Sequence, residues 1–199
     1  MNYYESILVL GVPHEERYRL HCRVEGLVRD SFLGKSKSSE LRHEKEVVPA
    51  YCYMTSPRDE DTSILVVRSA SPIGIGTEKQ KSFAFQVGQR IRLKFLCCTE
   101  TNRNTAGTTR CWSGDELVEN MAKPRLLKAG FDVESVKISG FDRFNVNKKE
   151  HKSWFLQGAH VDAIVIVRDP VEAEKAVVNG ISKKRSFGFG LVRWFDCDE

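Results

Sequence analysis

The chain has 199 residues, of which 41% are hydrophobic and 29% are charged, and its formal net charge is +4. These values are typical of a globular protein and exclude collagen-like, coiled-coil and wholly disordered chains. Apolar runs such as residues 163–167 are too short to span a bilayer, and the first residues lack the pattern of a signal peptide. We therefore expect a cytoplasmic protein with no membrane partner, whose charge permits a polyanionic ligand without demanding one.

The six cysteines and five histidines predict neither a disulfide framework nor a metal centre. The cysteines are not regularly spaced, which favours reduced thiols in a chain long enough to form a hydrophobic core. No Cys-x-x-Cys pair occurs and no two histidines lie four residues apart, so structural zinc is not expected. We predict that the protein uses no metal and no other cofactor.

In the first half of the chain, apolar runs alternate with polar turns. Residues 14–31 have helical periodicity, because Leu20, Val24, Leu27 and Val28 share one face. Strands are predicted at residues 6–12, 47–55, 62–70 and 82–87, and loops at residues 34–39 and 74–78.

In the second half, residues 90–95 alternate strictly between apolar and basic side chains, which indicates a half-buried strand. A helix is predicted at residues 115–129, where Pro124 should kink or split it, and another at residues 170–179. The other predicted segments are a polar loop at 99–109, strands at 132–139, 154–167 and 187–195, and a basic turn at 145–152.

The order of elements predicts the fold class. The second half has the order β-α-β-β-α-β, which describes a ferredoxin-like unit. The first half fits the same order with its second helix reduced or missing. We predict an α+β fold of two tandem ferredoxin-like (RRM-like) domains, residues 1–88 and 89–199.

Tyr18 and His21 are the candidate catalytic residues. Three positions apart on the first predicted helix, they lie on one flank, beside the apolar stripe rather than in it. A histidine beside a tyrosine can serve general acid–base chemistry near neutral pH. The same spacing also occurs by chance on solvated helices.

A glycine-rich basic loop at residues 180–191 is the first candidate binding segment. It places the cations Lys183, Lys184 and Arg185 before Gly188 and Gly190. Backbone N–H groups beside cations can hold phosphates, and glycines let the backbone approach closely. The alternative is a solvated charged loop.

Two further basic segments are candidates for contact with a nucleic acid. Residues 79–94 contain Arg92 and Lys94 and no acidic residue, and the predicted turn contains Lys148, Lys149 and Lys152. A basic β-hairpin can enter the groove of a duplex, although such clusters are often only solvated.

Together these segments resemble the CRISPR-associated endoribonuclease of the type I-E system, the CasE family of the RAMP superfamily. The resemblance includes Tyr18-x-x-His21, residues 87–95, residues 128–131 and the glycine-rich residues 185–191. It spans nearly the whole chain. The chain departs from the family pattern at four places: Ser182 and Lys183 replace Gly and Pro, Arg185 replaces Lys, Cys97-Cys98-Thr99 replaces Ala-Asn-Pro, and an acidic tail follows residue 195.

The resemblance implies a function and partners. It implies metal-independent cleavage of CRISPR repeat stem-loops in precursor crRNA, with attack by a 2′-OH leaving a 2′,3′-cyclic phosphate. It also implies retention of the product and assembly into the Cascade surveillance complex with its other subunits. His21 would be the principal acid–base residue and Tyr18 its partner, while the loop and hairpin cations would bind RNA.

Two other readings of the same residues stay open. The first is a non-catalytic module that binds RNA hairpins within a ribonucleoprotein complex. The second is a protein-interaction subunit that binds no RNA hairpin.

Overall fold

The computed structural model describes residues 1–32, 50–100, 111–148 and 152–197. Within these ranges, eight strands form two four-stranded antiparallel sheets, with helices packed on them. The predicted loop 34–39, most of the polar loop 99–109 and the hairpin tip 149–151 lie outside these ranges. No helix in the described ranges is long and apolar enough to cross a membrane.

In its described residues, the N-terminal domain has four strands and one helix. Its sheet has the order β2-β3-β1-β4, which is the ferredoxin-like order, and a connection at residues 70–76 replaces the second helix. Its elements are β1 (Asn2–Leu10), α1 (Arg17–Phe32), β2 (Tyr51–Pro57), β3 (Ser63–Ser69) and β4 (Thr77–Ser82). Leu20, Val24 and Val28 of α1 are fully buried, as predicted, whereas Leu27 is exposed.

The predicted strand at residues 82–87 is wrong. The fourth strand lies at Thr77–Ser82 and pairs with β1. This strand is polar and mostly exposed, so it carries no hydrophobic alternation and is held by backbone pairing. The residues after it pack elsewhere, since Phe85 is buried in the core of the C-terminal domain and Phe83 packs against that core.

The C-terminal domain has the predicted β-α-β-β-α-β order. Its sheet has the order β6-β7-β5-β8, and Ile91, Leu93 and Phe95 of β5 are buried in its core. Its elements are β5 (Arg90–Cys98), α2 (Gly114–Leu117), α3 (Lys123–Lys128), β6 (Phe131–Lys148), β7 (Lys152–Val167), α4 (Pro170–Asn179) and β8 (Arg193–Asp196). The chain is therefore an α+β protein with two tandem ferredoxin-like domains.

Three segments of this domain differ in detail from the prediction. A π-helical turn, Val118–Ala122, joins α2 to α3 just before Pro124, whose missing N–H cannot continue the regular pattern. The hairpin of β6 and β7 is longer than predicted, because two bulges interrupt the alternation of β6. The predicted strand 187–195 begins only at Arg193, after a 3₁₀ turn at Arg185–Phe187 and two glycines with positive φ.

Arg68 of β3 joins the two domains. Its side chain is buried, and Nη1 donates to the carbonyl oxygens of Val177 (3.1 Å) and Val192 (2.8 Å) in the C-terminal domain. Nη2 donates to Glu5 of β1 at 2.9 Å. Both hydrogen-bonding arms of the guanidinium are thus used, which ties β1 and β3 of the N-terminal sheet to the C-terminal domain.

Candidate nucleic-acid interface

Tyr18 and His21 lie together on the flank of α1 that faces the C-terminal domain. Their ring centroids are 6.3 Å apart, as the three-residue spacing on a helix predicts. Trp154 of β7 contacts the other side of Tyr18, with centroids 6.4 Å apart and planes inclined by 70°. The pair therefore lies where the N-terminal helix meets the long hairpin near its tip, two residues along β7 from Lys152.

The imidazole of His21 is held by contacts from both domains. It stacks on the ring of Phe187, in the 3₁₀ turn of the C-terminal domain, with centroids 4.5 Å apart. Its Nε2 atom lies 3.4 Å from Oε2 of Glu25, one turn further along α1. The side chain is 18% exposed, and Nδ1 is buried without a hydrogen-bond partner among the described residues. The outer nitrogen, Nε2, is therefore the one placed for proton transfer.

The Tyr18 hydroxyl has a local partner of its own. A hydrogen bond with Cys22, one turn along α1, raises the pKa of Tyr18 above its usual value of 10.0. The phenol therefore stays protonated at neutral pH. It can donate a hydrogen bond to a ribose or phosphate oxygen, whereas a phenolate base is disfavoured.

The three predicted loop cations occupy different positions. Lys184 adopts a left-handed conformation (φ 59°), and its Nζ lies 5.9 Å from the Phe187 ring and 4.0 Å from Oε2 of Glu100. Arg185 donates to the carbonyl oxygen of Asn179 at 2.7 Å, which closes the loop. Lys183 is exposed. Lys184 thus lies beside the ring that supports His21.

Gly188 and Gly190 shape the loop from inside. Both are buried and have positive φ, 85° and 86°. A Cβ atom would lie 2.7 Å from Nη1 of Arg17 at Gly188, and 2.5 Å from the backbone nitrogen of Ser182 at Gly190. These two residues let the chain pass close to α1 and to residue 182, and Gly188 also lines a cleft between the two domains.

The hairpin cations were predicted at its tip. The backbones of Lys148 and Lys152 pair at the end of β6 and β7, and Lys149 lies outside the described residues. Below them, Trp154 and Phe155 are exposed aromatic residues that were not among the predicted binding residues. The guanidinium of Arg143 covers the Phe155 ring at 3.8 Å. Their position next to the basic turn in the sequence was the signal that could have pointed to them as part of a binding surface.

Arg92 and Lys94 lie on the open face of the C-terminal sheet. Both pair with Asp162 of β7, Arg92 at 2.6 Å and Lys94 at 3.6 Å. The hydrogen bond from Arg92, aided by Lys94, holds the pKa of Asp162 below its usual value. Both cations are about half exposed, so they can exchange this partner for another anion at small cost.

In the described part of the chain, no group of three or more His, Cys, Asp and Glu residues could hold a metal ion.

The fold and the site together define a protein of two ferredoxin-like domains with a Tyr–His pair at their junction. The family model for CRISPR associated protein matches residues 12–193, and the chain belongs to this family. The family resemblance stated from the sequence is confirmed.

Several solved structures of CRISPR-associated proteins have this fold. Thermus thermophilus Cse3, bound to an RNA representing a pre-cleavage complex, is 16% identical over 98% of both chains, with a TM-score of 0.70. Cas6e from Escherichia coli K-12 is 16% identical over 98% of this chain and 100% of its own, with a TM-score of 0.58. A chain of a CRISPR RNA-guided surveillance complex is 16% identical over 98% of this chain and 100% of its own, with a TM-score of 0.67. No curated protein shows significant similarity to this chain.

Proposed function

We propose that this protein is an endoribonuclease that binds the repeat hairpin of precursor CRISPR RNA and cleaves it without a metal ion. One observation carries the proposal: His21 is stacked on Phe187 of the glycine-rich loop with Tyr18 beside it, at the junction of the two domains. Family membership and the likeness to a Cse3 chain bound to RNA support it.

The proposed reaction is an in-line transfer at phosphorus. The ribose 2′-oxygen attacks the adjacent phosphate and loses its proton, while the bond to the 5′-oxygen breaks and that oxygen gains a proton. The products are a 2′,3′-cyclic phosphate and a 5′-hydroxyl, so no water and no oxidant are consumed. The step needs a proton acceptor, a proton donor and positive charge near the phosphorane.

The residues of this chain can fill these roles. His21 presents Nε2 and exchanges the proton. Tyr18, whose phenol is kept protonated, orients the nucleophile or the phosphate by donating a hydrogen bond. Lys184, beside Phe187, contributes positive charge.

The binding surface in this proposal combines the hairpin with the loop. Lys148, Lys149 and Lys152 would contact backbone phosphates in the groove of the stem, and Lys183 and Arg185 would contact the strand near the cut. Such phosphate contacts give affinity and position the RNA, whereas shape and a few bases give specificity. We propose that the enzyme keeps its product and joins a surveillance complex, as the likeness to a chain of such a complex suggests.

A non-catalytic RNA-hairpin-binding module is the second candidate, and one observation favours it. Nδ1 of His21 is buried, and Nε2 is already near the Glu25 carboxylate. In that function, His21 would only stabilise the glycine-rich loop through its contact with Phe187, and the RNA would not be cleaved.

The discriminating experiment is incubation of the protein with its cognate CRISPR repeat RNA in excess EDTA. We expect a single cut that a 2′-deoxy nucleotide at the cut site abolishes without weakening binding. We also expect His21→Ala to bind the RNA and leave it uncut, whereas Asp30→Asn, an exposed change on the same helix, cleaves like the parent. Cleavage by His21→Ala at the parent rate would contradict the assignment, and binding without any cut would favour the second candidate.

A further inference from the structure

Two adjoining clefts cross the open face of the C-terminal sheet. One, of about 390 Å³, lies between this sheet and strand β2 of the N-terminal domain. The other, of about 560 Å³, continues across β5, β6 and β8. The two clefts share Lys94 and Asp162, so they adjoin at this ion pair, and together they are called the groove below. This groove passes on the Gly188 side of the glycine-rich loop, whereas His21 contacts the neighbouring Phe187.

The groove has an excess of positive charge. Six cationic side chains and three carboxylates line it. The cations are Arg17, Arg90, Arg92, Lys94, Lys137 and Arg193, and the carboxylates are Asp142, Asp162 and Asp196. Asp142 pairs with His160, and Asp162 pairs with Arg92 and Lys94. Arg90 pairs with Glu134 outside the lining, so four carboxylates face six cations and the groove keeps an excess of positive charge. The groove therefore suits an anionic ligand.

Arg17 is the unusual member of this set. Its side chain is 1% exposed, and its Nε and Nη1 atoms have no hydrogen-bond partner among the described residues. The guanidinium lies on the Phe144 ring at 3.8 Å, and Nη2 lies 3.4 Å from Nε2 of His14. Burial lowers the pKa of Arg17 to about 10, so it stays charged at neutral pH. A buried guanidinium without a carboxylate partner is costly, and an anion in the cleft would supply the missing charge.

The outer part of the groove has an aromatic residue between cations. Phe195 of β8 is 39% exposed and lies opposite Arg92 in the sheet. Nζ of Lys94 is 5.9 Å from its ring centroid, and Cζ of Arg193 is 5.4 Å away. An exposed aromatic ring flanked by cations on an open sheet is the surface on which single-stranded bases stack while their phosphates bind the cations.

We propose that this groove binds a single-stranded segment of RNA next to the cleaved hairpin. One phosphate would lie at Arg17 and Arg193 in the interdomain cleft, and one base would stack on Phe195. From Lys94 to Arg90 the groove follows β5 for about 13 Å, which exceeds the reach of a lone phosphate ion. The inference rests on the proposed function for the identity of the RNA, but it concerns a surface separate from Tyr18 and His21.

The test compares three RNAs at one salt concentration: the repeat hairpin alone, the hairpin with a ten-nucleotide single-stranded extension on its 5′ or 3′ side, and oligo-uridine. We expect one extension to tighten the dissociation constant about tenfold, which corresponds to roughly one stacked base. Phe195→Ala and Arg193→Gln should abolish this gain and leave the affinity and cleavage of the bare hairpin unchanged. The matched controls are Leu127→Ala, an exposed apolar residue on α3, and Lys175→Gln, an exposed cation on α4.

Three outcomes would overturn the inference. The first is a hairpin that is bound and cut while neither extension improves affinity. The second is a gain that both groove variants retain. The third is saturable binding of inorganic phosphate without any binding of oligo-uridine, which would make the groove a site for free anions. If instead the hairpin is neither bound nor cut but oligo-uridine binds and Phe195→Ala abolishes this, the groove stands and the proposed function fails.

Discussion

The imidazole of His21 stacks on the phenyl ring of Phe187, with centroids 4.5 Å apart and planes inclined by only 27°. His21 belongs to the N-terminal domain and Phe187 to the glycine-rich loop of the C-terminal domain. The position of the proposed catalytic base is therefore set by a contact between domains. Substitutions in the loop should affect chemistry even where they do not touch the RNA.

The first prediction concerns this stack. Phe187→Ala should slow cleavage by about a hundredfold, because a small misplacement of a catalytic group costs that much. Its measurement is single-turnover cleavage at saturating enzyme, which separates the chemical step from binding. Phe187→Tyr retains the ring and should cleave within a few fold of the parent. A parent-like rate for Phe187→Ala would show that the stack does not position His21.

The second prediction concerns the Tyr18 hydroxyl. Tyr18→Phe keeps the ring against Trp154 but removes the donor, and should slow single-turnover cleavage about tenfold, the worth of one lost hydrogen bond. RNA affinity should change little. Tyr4→Phe on β1 makes the same chemical change away from the site and is the control. If Tyr18→Phe cleaves like Tyr4→Phe, the hydroxyl has no part in the reaction.

The third prediction concerns the junction of the domains. Arg68 donates to Glu5 and to two carbonyl oxygens of the C-terminal domain from a buried position. Arg68→Met leaves the Glu5 carboxylate and both carbonyls without this partner, so we expect a loss of about 3–5 kcal/mol in the free energy of unfolding. Urea denaturation measures it. Arg90→Gln removes only an exposed ion pair with Glu134, so this control should unfold at nearly the same urea concentration as the parent.

Much of the fold is readable from local sequence pattern. The strict alternation of residues 90–95 predicted β5 and its buried face, and the apolar face of residues 14–31 predicted α1. The strand Thr77–Ser82 could not be found in this way, because it is polar and held by backbone pairing with β1. The length of the β6–β7 hairpin could not be predicted either, because two bulges shift the alternation of β6 and so interrupt its pattern of apolar residues.

The candidate site is only partly readable from the sequence. Tyr18 and His21 could be paired because residues three apart on a helix are neighbours. Phe187 and Trp154 contact this pair from distant parts of the chain, and no periodicity links them to α1. Gly188 and Gly190 were predicted to bind RNA. Their buried positions and positive φ give both a role in chain packing, and direct RNA contact by either stays a prediction.

The fourth prediction concerns the pH dependence of stability. Burial alone would raise the pKa of Glu5, but its hydrogen bonds with Lys81 and Arg68 outweigh this and lower the pKa below the usual 4.5. A depressed folded-state pKa stabilises the protein above the unfolded value, and this contribution disappears as the pH falls through the folded value. The stability difference between the parent and Glu5→Gln should thus be constant from pH 7 to about pH 5 and shrink below pH 4.5. Urea denaturation at pH 7, 5, 4 and 3 measures it, and a difference that stays constant to pH 3 would contradict the assignment.

The last prediction separates stability from binding at Arg17. Its guanidinium is buried without a carboxylate partner in the described part of the chain, so it should lower the stability of the RNA-free protein. Arg17→Met replaces the guanidinium, which lies on the Phe144 ring, with a shorter unbranched apolar side chain and removes the charge. We expect the melting temperature without RNA to stay equal or rise. The same substitution should weaken binding of the extended RNA, because the anchoring cation is lost. A lower melting temperature with unchanged affinity would show that Arg17 stabilises the packing of α1 against β6 and does not bind an anion in the cleft.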